Sequence, residues 1–152
     1  MNLQDIIIEL KKYNDFDNLD ELYNLFNNYN SFDYKNLIDF SLISYKKNYL
    51  YSCKSFDLVL ICWKTGQYKQ IHDHPNFCCL VKVLEGELLE EEYLNVDSGL
   101  QLNELKILNN GMITNKKQKE ILHKIIANED TVSLHLYIPG NYKPNYYFLG
   151  NK

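Results

Sequence analysis

Three of the four histidines in this chain have a spacing suited to holding one metal ion. His72 and His74 are two residues apart, in a stretch whose alternation is typical of a β-strand. Alternate side chains on a strand share a face, so both imidazoles can reach one ion while Asp73 points away. His123 lies on a later alternating stretch and can supply a third nitrogen, leaving the other side of the metal open. A single histidine is more often a core or surface residue, so the metal hypothesis depends on all three.

A second group of reactive side chains lies near the C-terminus. Ser133, His135 and Tyr137 alternate, so one face of a predicted strand presents a hydroxyl, an imidazole and a phenol in a row. An ordinary half-buried strand with its polar face in water shows the same alternation, and this alternative stays open.

The elements that must position these side chains change in character along the chain. Residues 1–44 show the apolar spacing of helices, first at Leu3, Ile6, Ile7 and Leu10. Either Asp17 or Asn18 can cap a second helix, which carries Leu19, Leu22, Leu25 and Phe26. A third short helix is predicted from Ser31, with Leu37, Ile38 and Phe40. These helices carry no chemistry and are expected to pack against the remainder of the chain.

Residues 45–148 are predicted to form short antiparallel strands. Strand-forming residues dominate the segments 56–63, 70–74, 78–84, 88–94, 120–126 and 131–137. Turn signals separate them at 85–87 and at Asn109-Asn110-Gly111. Short strands at this spacing, without helices between them, favour a β-sandwich or barrel in one domain spanning residues 1–152.

Composition limits the partners that this protein can have. The net charge is −4, the acidic residues are scattered, and no basic stripe is present, which argues against nucleic acid. All sixteen basic residues are lysines, so any role usually taken by arginine must fall to lysine. We find no targeting signal and no apolar run that could span a membrane, and four cysteines are expected to be reduced thiols in the cytoplasm.

A glycine framework surrounds the histidine pair. Gly66 precedes His72-Asp73-His74 by five residues, Cys79 follows after four, and Gly86 follows after six more. This arrangement resembles the first motif of the cupins. It therefore implies a mainly β, cupin-type small barrel (jelly-roll-like) with N-terminal helices. Cupins usually place a glutamate ligand where this chain has Cys79.

Within the cupins, the chain resembles the cysteine dioxygenases, a family of thiol dioxygenases. The resemblance covers residues 45–140 and rests on Leu60–Gln67, Ile71–His74, Cys79–Tyr93, Leu122-His123 and Val132–Pro139. It implies that His72, His74 and His123 bind one iron(II) per chain. It also implies that Cys79 and Tyr137 form a thioether cross-link, and that Ser133 and His135 orient the Tyr137 hydroxyl. Whether Ile138-Pro139 is cis stays open.

Three neutral imidazoles suit a thiol substrate on chemical grounds. They leave the charge of a dication uncompensated, so an anionic thiolate is a favoured further ligand. The resemblance then implies that L-cysteine and dioxygen give cysteine sulfinate, with both oxygen atoms on sulfur. We expect a monomer acting on a small thiol and O₂.

One departure from the family bears on the substrate. The segment Tyr45–Leu50 is similar to the one that carries the family's carboxylate-binding arginine, and Lys47 stands in its place. Lys47 and Tyr45 are therefore candidate substrate-binding residues, although Lys47 could equally be a surface lysine. A lysine offers a point charge without the bidentate geometry of arginine. The substitution motivates one alternative, dioxygenation of a different thiol such as 3-mercaptopropionate or cysteamine. A separate alternative is a metal-binding cupin without redox chemistry, since zinc also accepts three histidines.

Overall fold

A computed structural model describes residues 1–13, 16–75, 77–116 and 120–150. The secondary structure of this part of the chain is mainly β. It begins with two α-helices, α1 (Leu3–Lys11) and α2 (Leu19–Asn27), and a 3-10 helix (Asp33–Leu37). The strands are β1 (Lys46–Ser52), β2 (Asp57–Trp63), β3 (Tyr68–His72), β4 (Cys78–Glu85), β5 (Glu87–Val96), β6 (Gly99–Asn109), β7 (Ile113–Lys116), β8 (Ile121–Ala127) and β9 (Thr131–Ile138).

The first two helices form where their sequences predict. Asn2 caps α1 by accepting from the backbone N–H of Asp5 at 2.9 Å, and the Asp5 carboxylate accepts from the Asn2 N–H at 2.9 Å. Asn18 caps α2 by accepting from the Glu21 N–H. The predicted third helix is shorter than expected: it is one 3-10 segment that ends at Leu37, and Ile38 is already extended.

The strands form two antiparallel sheets. One has the order β1-β2-β9-β4-β7 and the other the order β3-β8-β5-β6. The candidate metal ligands belong to the four-stranded sheet or its margin, whereas Cys79 and the row from Ser133 to Tyr137 belong to the five-stranded sheet. The candidate site thus lies between side chains that the two sheets supply.

Two hydrophobic layers explain why β2 is buried along its whole length. One face of the five-stranded sheet packs against the helices, with Leu58 and Leu60 of β2 in contact with the helical layer. The other face packs toward the second sheet, through Val59, Ile61 and Trp63. A strand that is buried on both faces carries apolar residues at successive positions, which is why residues 56–63 show no alternation of apolar and polar residues.

Several strand predictions differ from the structure at their ends. The strand carrying the histidine pair ends at His72, and His74 follows it outside the strand. The other five strand predictions correspond to β2, β4, β5, β8 and β9, with ends that differ by at most two residues. Strands β1, β6 and β7 had not been predicted.

Three further features concern the backbone, the cysteines and the helices. The Ile138-Pro139 peptide bond is cis. In the described part of the chain, no disulfide joins any two of the cysteines. No helix in this part is both long and apolar enough to cross a membrane.

Candidate metal centre and active site

Strand pairing brings the three candidate ligands together. β3 and β8 are antiparallel neighbours, and His72 lies directly opposite His123 in their register. The centroids of these two rings are 4.3 Å apart. His74 lies just past the end of β3, with its ring centroid 5.8 Å from that of His123. All three side chains are buried.

Hydrogen bonds determine which ring nitrogen of each histidine is available to a metal. The Nδ1 of His72 lies 2.6 Å from the Gln70 carbonyl oxygen, and the Nδ1 of His74 lies 3.2 Å from the Pro75 carbonyl oxygen. A carbonyl only accepts, so each Nδ1 carries the proton and each Nε2 has a lone pair. In His123, Nδ1 is 3.2 Å from the Glu90 carboxylate, which fixes the same tautomer.

The Nε2 atoms of His74 and His123 are buried and have no hydrogen-bond partner among the described residues. Leaving a buried polar atom unsatisfied costs about 1–3 kcal/mol, so two such atoms side by side need an explanation. A metal ion that accepts both lone pairs would provide one.

The protonation state of the rings also suits a metal. Burial, followed by the charges of His123 and Lys69, lowers the pKa of His72 well below its usual value. Burial likewise lowers the pKa of His123, although the Glu90 carboxylate opposes the shift. Both rings are therefore neutral at neutral pH, which is the form that binds metals. Among the described residues no three His, Cys, Asp or Glu side chains already have the arrangement of a metal site, so the rings must reorient around an ion.

A continuous hydrogen-bonded relay runs along β9. The indole Nε1–H of Trp63 donates to the Ser133 hydroxyl oxygen at 2.9 Å. That hydroxyl is 2.7 Å from Nε2 of His135, and Nδ1 of His135 is 3.2 Å from the Tyr137 hydroxyl. The predicted row is thus connected, with Ser133 and His135 buried and Tyr137 partly buried, which rules out a polar face turned toward water.

The start of the relay allows its protons to be passed toward Tyr137. An indole can only donate, so Ser133 accepts from Trp63, and the Ser133 hydroxyl hydrogen can be donated to His135 Nε2. Burial, with the charges of Lys69 and Lys47, lowers the pKa of His135 well below its usual value, so the ring is neutral. Its one proton then lies on Nδ1 and is donated to Tyr137. The hydrogen of the Tyr137 hydroxyl is then available for donation to another group.

Cys79 and Tyr137 are direct cross-strand neighbours. They are paired in the register of β4 and β9. Directly opposite residues in an antiparallel pair have Cβ atoms about 4.5–5.5 Å apart. Burial, followed by the nearby Cys79, raises the pKa of Tyr137 well above its usual value, so the phenol keeps its proton. The adjacent Cys78 faces the helical layer, as expected for vicinal residues on a strand.

A small cavity of about 20 Å³ lies against two of the candidate ligands and the end of the relay, whereas His123 and Cys79 are not among its lining residues. Its lining includes His72, His74 and Tyr137, and both sheets contribute cations to it, Lys47 from β1 and Lys69 from β3. Two carboxylates and four other side chains complete the lining: Asp57, Asp73, Tyr49, Tyr142, Pro75 and Pro144.

The second candidate substrate-binding residue does not line this cavity. Tyr45 packs on Trp63, with ring centroids 4.7 Å apart, and so stands behind the first member of the relay. Burial and the neighbouring Tyr146 raise the pKa of Tyr45 to about 12. The connection of Tyr45 to the cavity therefore runs through Trp63 and the relay to Tyr137.

Asp73 also departs from the strand-based expectation. Instead of pointing away from the site, it is a lining residue of the cavity. Its carboxylate accepts hydrogen bonds from the Tyr142 hydroxyl and from the backbone and side-chain N–H groups of Asn145. These bonds tie the C-terminal segment to the end of β3.

Three residues of the site had not been singled out from the sequence. Glu90 carried a usable signal, since Leu88, Glu90 and Glu92 alternate on one face of β5 and are all buried. Trp63 was hidden inside an apolar run, where an indole is normally core. Lys69 carried no signal, because one lysine in a strand is usually solvated.

Comparisons with known proteins agree with this geometry. The family model described as cysteine dioxygenase type I matches residues 1–147. Cysteine dioxygenase type 1 of Homo sapiens is 34% identical over 92 residues, covering 55% of this chain and 45% of that protein. The enzyme of the same name from Danio rerio is 31% identical over 91 residues, with the same coverage. The chain thus spans about half the length of the curated relatives that it matches.

Solved structures establish the fold. A protein with a double-stranded β-helix domain from Klebsiella pneumoniae has a TM-score of 0.60 at 16% identity, covering 78% of this chain and 92% of that one. A cupin superfamily protein from Desulfitobacterium hafniense has a TM-score of 0.55 at 14% identity, covering 68% and 84%. The predicted mainly β, cupin-type fold is confirmed. With the family match extending over nearly its whole length, the chain belongs to the cysteine dioxygenase type I family.

Proposed function

We propose that this protein is an iron(II)-dependent thiol dioxygenase that converts L-cysteine and O₂ into cysteine sulfinate. The observation that carries the proposal is the pair of buried Nε2 atoms on His74 and His123, which lack partners within the described residues. Membership of the family supports the reaction class. In this reaction the thiol hydrogen is retained in the product, and both atoms of O₂ become bonded to sulfur.

His72, His74 and His123 would hold one iron ion per chain. Their Nδ1 protons are held by oxygen acceptors, so all three Nε2 atoms can turn toward a shared ion. Three neutral ligands leave the positive charge uncompensated and favour an anionic thiolate beside them. Iron(II), when bound, supplies the redox chemistry that lets dioxygen react with a thiolate.

The relay on β9 positions a hydrogen-bond donor at the same place. Because His135 donates to the Tyr137 oxygen, the Tyr137 hydroxyl hydrogen is available to the cavity that Tyr137 lines. The raised pKa of this phenol keeps that hydrogen in place at neutral pH. Tyr137 can therefore stabilise negative charge that develops on a reacting oxygen or sulfur atom.

Oxygen uptake with a panel of thiols tests the proposal. Protein loaded with iron(II) should consume oxygen with L-cysteine and release cysteine sulfinate, identified by mass spectrometry. His123→Ala should lose both the iron and the uptake. If oxygen is consumed only with 3-mercaptopropionate or only with cysteamine, that thiol replaces cysteine as the proposed substrate. These thiols are included because Lys47 stands where the family has an arginine.

A metal-binding cupin without redox chemistry would give a different result. Protein purified without added iron would then retain zinc, which also accepts three histidines and an open position. No thiol in the panel would be oxidised after iron loading. That combination would overturn the proposal.

The register of Cys79 and Tyr137 supports a thioether between them. Forming it removes two hydrogens, so intact-mass measurement after turnover should show a second species lighter by that mass. Cys79→Ser should give the unmodified mass alone, whereas Cys78→Ser should keep the lighter species. An unchanged mass after extended turnover would argue against the cross-link.

A further inference from the structure

Lys69 has an unusual place for a lysine. It lies on β3, three residues before His72, and only 5% of it is exposed. It lines the cavity with His72 and Tyr137, and its Nζ is 5.7 Å from the centroid of the Tyr137 ring. Its ammonium group is therefore held inside the site, beside the groups proposed to do the chemistry.

No hydrogen bond or ion pair joins Lys69 Nζ to another residue in the described part of the chain, which contrasts with the other buried lysine. Lys82 is 8% exposed, and its Nζ donates to the backbone carbonyls of Phe26 and Tyr29 at 2.8 Å each. Those bonds offset the cost of removing Lys82 from water and terminate α2. The fold explains Lys82, and it provides no comparable reason for the burial of Lys69.

The two carboxylates in the cavity lining are already engaged by neutral donors. Asp57 accepts from the Ser52 hydroxyl and from the Asn141 N–H at 2.8 Å. Asp73 accepts from Tyr142 and Asn145. Within the described residues, neither carboxylate lies at ion-pair distance from Lys69 or Lys47. The cavity therefore holds two lysine amino groups, and no carboxylate of the described residues lies at ion-pair distance from either of them.

We propose that Lys69, together with Lys47, binds the carboxylate of the substrate and makes the site selective for thiols that carry one. The two lysines come from opposite sheets and line the same cavity, so an anion between them would contact both. This inference rests on the proposed function and narrows its substrate class to carboxylate-bearing thiols such as L-cysteine and 3-mercaptopropionate. Cysteamine, which is a cation, would be repelled.

The small volume of the cavity implies that the two lysine side chains move when a substrate binds. A volume of about 20 Å³ holds about one water molecule, so an amino acid cannot enter without movement of lining side chains. Lysine has a flexible four-carbon stem and can swing outward while keeping its charge near the anion. Two separate lysine charges can thereby attract the substrate carboxylate, although without the bidentate geometry of an arginine.

Binding to metal-free protein without oxygen tests this inference separately from catalysis. In NMR titrations, 3-mercaptopropionate and propane-1-thiol differ by their carboxylate, and wild-type protein should bind the first about tenfold more tightly or better. Lys69→Met removes the charge while keeping an apolar stem, and should abolish that difference. Lys124→Met is the matched control, because Lys124 follows His123 on β8 and should therefore point to the opposite face, where its Nζ lies over the Tyr68 ring.

The outcomes separate the two proposals. If Lys69→Met loses the preference and Lys124→Met keeps it, the inference holds even if iron-loaded protein fails to consume oxygen. If Lys69→Met binds 3-mercaptopropionate as tightly as the wild type, the inference is overturned even if oxygen uptake is normal. Wild-type protein that binds cysteamine and 3-mercaptopropionate equally well would also overturn it.

Discussion

At the scale of single residues, the candidate metal centre depends on the acceptors behind the three imidazoles. His72 and His74 donate to backbone carbonyls, which any sequence provides, whereas His123 uses a side chain that is 0% exposed, Glu90. A charged acceptor raises the basicity of its histidine and holds the ring in one orientation. Glu90 is therefore the acceptor that mutation can test directly.

Glu90→Gln should weaken metal binding while leaving the ligands in place. The amide keeps the size of the side chain but removes the negative charge behind His123, so iron(II) affinity should fall about 10- to 100-fold. A competition titration against a chelator measures this. Glu91→Gln is the control, since Glu91 lies on the other face of β5 and accepts from the Tyr93 hydroxyl. Equal affinities in wild type and Glu90→Gln would show that the backbone alone orients His123.

Ser133→Ala should slow turnover without removing iron. The Ser133 hydroxyl is the link between Trp63 and His135, and without it His135 Nε2 loses its donor and the ring is free to change tautomer. We expect kcat to fall about tenfold to a hundredfold, with KM and iron content unchanged. Trp63→Phe removes only the first donor of the relay and should lose less. A loss of iron in parallel with kcat would indicate a structural role instead.

Residue types and spacing predicted the ligands and the relay, but they did not predict Lys69. The histidines and the row from Ser133 to Tyr137 stand out because such types are rare at alternate positions of one strand. Lys69 becomes distinctive only through its burial, which a sequence does not display. The bulge between Lys69 and His72 also disturbs the alternation of β3, so strand parity assigns Lys69 to the wrong face.

At the scale of elements, strands with a buried face were predictable and exposed strands were not. β9 pairs with both β2 and β4, and the pattern of its apolar residues predicts a strand. β6 pairs only with β5 in its sheet, and most of its side chains are exposed, including Leu102, Leu105 and Ile107. With no buried face to impose a pattern, the sequence of β6 carries little strand signal.

The turn between β4 and β5 joins the two sheets, and its glycine is predicted to be irreplaceable. Gly86 has φ of +94°, and a Cβ there would lie 2.4 Å from Thr131 Oγ1 and 2.5 Å from the Asp130 carbonyl oxygen. Gly66 has φ of +87° and no atom within 4 Å of its Cβ position. Substitutions at Gly66 and Gly86 therefore distinguish the cost of backbone strain from the cost of steric conflict.

Gly66→Ala should lower the free energy of unfolding by about 1–2 kcal/mol, the cost of a side chain at positive φ. Gly86→Ala carries that cost and must also displace backbone atoms of Asp130 and Thr131 at the start of β9, so its free energy of unfolding should fall further. Urea denaturation of both variants measures the difference. Similar losses at the two positions would show that the Gly86 turn can shift away from Thr131 without cost.

At the scale of the whole molecule, the order of the strands lay beyond prediction. β9 pairs with β2 and β4, and β3 pairs with β8, so the pairings that build the site join strands distant in sequence. His72 meets His123 only because of the register between β3 and β8. Local patterns determine which residues face inward, but long-range pairing decides which of them meet. The resemblance to cupins predicted a small barrel, whereas the order and register of its strands come from the structure.

Burial of Lys69 should make the stability of the whole protein depend on pH. Burial, with the charge of Lys47, lowers the pKa of Lys69 to about 7, whereas lysine in an unfolded chain titrates near a pKa of about 10.4. Between those values the unfolded state binds more protons than the native state. The free energy of unfolding should therefore increase with pH, by up to about 1 kcal/mol between about pH 7.5 and about pH 8.5.

Urea denaturation of metal-free protein at these two pH values tests the dependence. Lys69→Met has no proton to lose, so its stability should increase less than that of the wild type over the same interval. Lys124→Met removes a lysine of the same sheet that lies over the Tyr68 ring, and it should keep the wild-type dependence. Equal slopes in wild type and Lys69→Met would mean that Lys69 stays protonated in the native state. Its ammonium group would then be in contact with water, and the cavity would not desolvate it.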